Sequence, residues 1–114
     1  MSLKFLTFVV LVGAVYASSN AAGKPAQKGT KLTGYECARM ERLVVPMAEV
    51  IGMDRPGYTD VLEAGKAKSD IPKAYDALWV YLWEFKKEVL LRQQYDLKED
   101  FTKKCAAGKI RTLD

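Results

Sequence analysis

The side chains that most often do chemistry are scarce in this sequence. It contains no histidine, which removes the usual general base near neutral pH and the commonest metal ligand. Its serines are Ser2, Ser18, Ser19 and Ser69. The first three fall in the N-terminal leader and the segment after it, and Ser69 stands where a helix cap is expected. Carboxylate pairs occur at Glu84/Glu88, at helical spacing, and at Glu99–Asp100. A working acid–base pair needs surroundings that push two pKa values apart. These pairs instead sit among Lys86, Lys87, Lys98 and Lys103, an alternation of sign that marks a solvated helix face. No Gly-rich phosphate loop or calcium loop is present, and no cluster has metal-ligand spacing. The residue pattern points away from an enzyme, and no cofactor or metal is expected.

The two cysteines, Cys37 and Cys105, are the exception. They are not in a Cys-x-x-Cys arrangement, so redox catalysis is not indicated. The start of the chain decides how they read. Met1–Lys4 carries one positive charge, and Phe5–Val15 is an uncharged apolar run. At about 11 residues it is shorter than the roughly 20 that a membrane-spanning helix needs. Val15-Tyr16-Ala17 then offers small or aliphatic residues where signal peptidase requires them. Residues 1–17 are therefore read as a secretory signal peptide cut after Ala17, and no later segment reads as a membrane span. In an oxidising export route an even pair of cysteines predicts one disulfide, Cys37–Cys105. The expected location is extracellular.

The chain has 114 residues, enough for one small domain. Residues 18–32 lack apolar periodicity and predict a flexible arm bearing Lys24, Lys28 and Lys31, with no acid between them. From Tyr35 to Asp114 basic and acidic residues balance, so the basic character comes from the arm. That argues against a nucleic-acid-binding domain, which concentrates cations on its folded face. The arm instead offers a contact for anionic surfaces.

Residues 33–114 are expected to be a single helical domain. Thr33-x-x-Glu36 has the form of a capping box. Cys37, Met40, Val44, Met47 and Ile51 recur at spacings of three and four, an amphipathic helix that Pro46 should bend or break. Thr59–Ala64 predicts a short helix burying Val61 and Leu62 and ended by Gly65. Ile71, Tyr75, Leu78, Leu82, Phe85 and Val89 mark the apolar face of a long helix from Ile71 to about Gln94. Leu97, Phe101 and Cys105 mark the inward face of a last helix, either separate or continuous with it. Nothing alternates at period two. The expected architecture is all-α: a small antiparallel bundle of three to four helices stapled by one disulfide.

The long helix carries the most informative residues. Tyr75, Trp79, Tyr81, Trp83 and Phe85 lie close together. Most should be core, because a small domain needs large apolar side chains. Trp79, Trp83 and Leu90 nonetheless form a second stripe beside the Leu78/Leu82 face. Such a stripe, with Tyr75, either binds a protein partner at the surface or lines a cavity for a small hydrophobic ligand. The chain therefore reads as a secreted, non-enzymatic helical protein that binds an extracellular macromolecule as an effector or inhibitor. The alternative is a carrier of a small hydrophobic ligand. Neither nucleic acid binding nor stable membrane insertion is expected.

Overall fold

A computed structural model describes residues 29–114. The expected leader, the first part of the arm, and Lys24 and Lys28 lie outside these residues. Thr33 begins the first helix as its spacing predicts. Its hydroxyl accepts from the Glu36 backbone N–H at 3.1 Å, and the Glu36 carboxylate accepts from the Thr33 N–H at 2.8 Å. This satisfies donors that the first turn would otherwise leave open and starts α1, Gly34–Glu41.

The apolar run does not continue as one bent helix. It stops at Arg42 and restarts as α2, Val44–Met53. Pro46 thus lies in the first turn of α2, where its missing N–H removes nothing the helix could have kept. Asp54, in the left-handed region at φ 51°, ends α2, and Gly57 at φ 83° turns the chain into α3, Tyr58–Ala67. Gly65, expected to end that helix, lies inside it. Ser69, expected to cap the next helix, does not: Ile71 takes the N-cap position without a side-chain cap, the Ser69 hydroxyl accepts from the Ile71 N–H at 3.0 Å just before it, and Pro72 opens α4, Pro72–Trp83.

The sequence predicts a single helix from Ile71 to Gln94. The chain instead forms α4, α5 (Lys87–Arg92) and α6 (Gln94–Ala106). The Phe85 N–H turns back to the Leu82 carbonyl at 3.2 Å, and Lys86 is extended, with φ −68° and ψ 153°. Neither glycine nor proline marks the break. Its reason is tertiary. Redirecting α5 buries Leu90 to 1% exposure and brings Leu91 against Gly52, where a Cβ would lie 2.9 Å from the leucine side chain. Gln93, at φ −121° and ψ 35°, makes a second break, beyond which Leu97, Phe101 and Cys105 are buried. Burying these side chains outweighs the local preference to continue one helix. The described residues therefore form six helices and no named strand, against the three or four expected.

One core joins all six helices, with Met40, Val44, Leu78, Leu82, Leu90 and Phe101 fully enclosed. Tyr81, absent from the predicted apolar face, is in it as well. Its ring meets Phe85 and Phe101 edge-on at centroid distances of 5.3 Å. Its hydroxyl donates to the Asp100 carboxylate, which Lys104 also reaches at 3.1 Å. Burial, and then this hydrogen bond, raises the phenol's pKa, while the phenol holds the Asp100 carboxyl below its ordinary range. A buried hydroxyl is thereby satisfied.

The Cys37–Cys105 disulfide ties α1 to α6. Beside it, residues assigned by sequence to the arm are paired with the far end of the chain. Leu32 N–H bonds to Ile110 O at 3.1 Å, Thr112 N–H to Thr30 O at 2.9 Å, and Gly29 N–H to Thr112 O at 2.9 Å. Leu32, Ile110 and Thr112 are buried. At Gly29 a Cβ would fall 1.7 Å from the Thr112 hydroxyl oxygen, so the pairing requires glycine. Asp114 meets Lys73 at 2.7 Å, and that bond, with one from Thr112, draws its carboxyl down to about 2.

Candidate functional site

Tyr75, Trp79 and Trp83 are spaced by four on α4 and share one side of it. The structure grades them by depth. Tyr75 is buried, Trp79 is half-buried against the core, and Trp83 is 56% exposed. Their neighbour on this side is α3. At one end Gly65 lets the Tyr75 hydroxyl approach to 2.5 Å from where a Cβ would stand. At the other end Tyr58 faces Trp83, ring centroids 6.4 Å apart and tilted by 31°. Tyr58 is the first residue of α3, so the helix supplies no earlier turn to cover the indole.

The Gly65 contact predicts a reversal of the usual rule. Gly→Ala inside a helix ordinarily stabilises by about 1 kcal/mol. Gly65→Ala should instead destabilise by about 1–3 kcal/mol, because the buried Tyr75 ring must shift. Chemical denaturation checks this, and a stabilised variant would show that α3 yields freely. Gly65→Ala with Tyr75→Phe, which removes the clashing oxygen, should recover much of the loss.

Next to the Tyr58–Trp83 pair, α2 and α3 splay apart. Val50, Met53, Arg55, Pro56, Gly57, Tyr58 and Val61 line a groove of about 270 Å³. A second groove of about 210 Å³ shares Val50 and Val61 and continues along Leu43, Pro46, Met47, Leu62, Gly65 and Tyr75. Val61, expected in the core, is 60% exposed; Met53 is 42% exposed and Leu91 41%. Leu62, expected alongside it, is buried. The Lys87–Asp54 ion pair lies at this end of the molecule. Partial burial, reinforced by Asp54, raises the pKa of the Tyr58 hydroxyl.

The structure thus sets Trp83 against Tyr58, and Tyr58 shares its groove with Met53 and Val50, residues that the sequence does not mark as functional. Tyr58, Met53 and Val50 carry no chemical motif. The one available signal was the turn Gly52–Gly57, which separates two apolar helix faces and leaves residues on both sides of it near the surface. Lys31 lies elsewhere, on the edge of a groove of about 470 Å³ beside the disulfide, with Thr33, Gly34, Ala38, Glu41 and Thr102 among its walls.

Among the described residues no three His, Cys, Asp or Glu side chains come together as a metal site, and no helix is long and apolar enough to cross a membrane. The arrangement supports binding through apolar and aromatic contact. Comparisons with protein-family models, with curated proteins and with solved structures return no match.

Proposed function

We propose that this is a secreted, non-enzymatic helical protein that acts by binding an extracellular protein, as an effector or inhibitor, through the surface around Trp83. The observation that carries this reading is an indole exposed by 56% whose ring faces Tyr58, a residue that in turn lines an open groove with the exposed apolar side chains of Met53 and Val61. Exposed aromatic residues with apolar neighbours are typical anchors of protein interfaces. The opposite order of the Tyr58–Trp83 and Gly65–Tyr75 contacts supports reading the packing of α3 and α4 as antiparallel. Export is supported by the leader sequence and agrees with the disulfide.

A second reading, a carrier of a small hydrophobic ligand, is favoured by the two adjoining grooves with Val50 and Val61 in common. Tryptophan fluorescence separates the two. In the protein-binding reading, Trp83→Ala weakens capture of a partner from the surrounding fluid by about 2 kcal/mol or more and moves the melting temperature little. In the carrier reading, an apolar probe quenches or shifts emission from the native protein and competes with no protein. Loss of the fold in Trp83→Ala would show that the ring is structural and overturn the protein-binding reading, and an apolar probe that leaves the native emission unchanged would overturn the carrier reading.

A further inference from the structure

We infer that the paired chain ends form a binding surface for a sulfated polysaccharide. The inference starts from a local rule that the fold breaks. Lys31 lies opposite Arg111 in an antiparallel bridge. The flanking bonds, Leu32 N–H to Ile110 O and Thr112 N–H to Thr30 O, make it the non-hydrogen-bonded kind of pair, in which opposed side chains approach closest. Like charges at such a position destabilise the pairing. Lys109, two residues before Arg111, is also exposed, and the Lys31 stem runs past Gly108, its Cδ 3.3 Å from where a Cβ would stand. Lys31 is thereby set beside the cations of a stretch far away in sequence, Lys109 and Arg111. No acid occurs between residues 101 and 113, and none between Lys24 and Lys31.

Compensation for the two lysines is sparse. Among the described residues neither Lys31 nor Lys109 makes a side-chain hydrogen bond or ion pair, whereas Lys103 and Lys104 are matched by Glu99 and Asp100. Nearby acids include Glu36, whose carboxylate accepts from the Thr33 N–H, Glu41, on the groove that Lys31 borders, and Asp114, which Lys73 holds. The balanced charge of the folded region therefore conceals a local excess. A ligand with closely spaced fixed anions removes the repulsion that the bridge creates. The exposed large apolar side chains all lie outside residues 29–32 and 109–112, so nothing at this surface is suited to insert into a bilayer. A hydrated polyanion fits better. The choice of sulfate esters over nucleic acid rests on the proposed export; the cation cluster does not.

The test uses the full oxidised chain and a heparin-derived oligosaccharide followed by calorimetry at several salt concentrations. Lys31→Gln/Lys109→Gln should weaken binding about tenfold or more and reduce the salt dependence, since each neutralised contact releases fewer counterions. It leaves the Arg111 Nε–H bond to the Gly29 carbonyl in place, so the fold is retained. Lys86→Gln/Arg92→Gln removes equal charge elsewhere and should change affinity less than about twofold. Trp83→Ala should leave heparin binding unchanged, which separates this surface from the proposed protein-binding one. No measurable binding, equal losses in the two double variants, or tighter binding to duplex DNA or to phosphatidylserine vesicles would overturn the inference.

Discussion

Replacing both cysteines, as Cys37→Ala/Cys105→Ala, should destabilise the protein by roughly 4 kcal/mol. The bridge closes a loop across a sequence separation of 68, so its removal frees most of the described chain in the unfolded state. For a domain of this size each kcal/mol corresponds to roughly 4–8 °C, and thermal unfolding should shift down by about 15–30 °C. The structure enlarges the effect. The disulfide lies beside the pairing of residues 29–32 with residues 110–112, which then has to hold distant chain ends without a covalent neighbour. A fall of less than about 5 °C would mean that the core and the backbone pairing hold α1 to α6 by themselves. Intact mass of the native material should show the pair oxidised.

Phe101→Ala should be nearly as damaging, at about 3–5 kcal/mol. The ring is fully buried and touches Tyr81 edge-on, so truncation opens a cavity against a side chain whose hydroxyl is tethered to Asp100 and which has little freedom to fill it. The total stability of such a domain is about 5–15 kcal/mol, so the variant should be close to unfolded at moderate urea concentrations. Chemical denaturation of the oxidised protein measures this. The contrast with Trp83→Ala is the informative part: two large aromatic rings, one removed at high cost to the fold and the other at little. If both substitutions destabilise alike, Trp83 belongs to the core and the proposed binding surface is lost.

Local signals in the sequence were read correctly where a few adjacent residues decide the outcome. The Thr33–Glu36 capping box and the inward spacing of Leu97, Phe101 and Cys105 are of that kind. What distant parts of the chain decide was not legible. Nothing between Trp83 and Lys87 has a low helix propensity strong enough to stop a helix, yet the chain turns there so that Leu90 reaches α2. Tyr81 falls outside the apolar spacing of the expected long helix, although it belongs to the aromatic group expected to be mostly core. It is buried because Phe85, Phe101 and Asp100 converge on it from the later turn and from α6. Leu32 and Ile110 are single apolar residues in polar surroundings, and periodicity cannot detect a pairing of so few residues. The same holds for the candidate site. The stripe Tyr75, Trp79, Trp83 was visible as a spacing, but its gradient from buried to exposed depends on where α3 begins.

The pairing of the chain's two ends also fixes when this protein can fold during synthesis. Gly29 to Leu32 cannot find their hydrogen-bond partners until residues 110–112 have left the ribosome, and Cys37 must wait for Cys105. At about 5–20 residues per second, a separation of 68 residues means that the Cys37 thiol stays unpaired for about 3–14 s. Throughout that interval α1 and α2 exist without α6, and Met40 and Val44 lack part of their cover. The bridge and the backbone pairing can therefore form only once residues 105–112 have been made, so this domain closes last at the junction of α1 with α6.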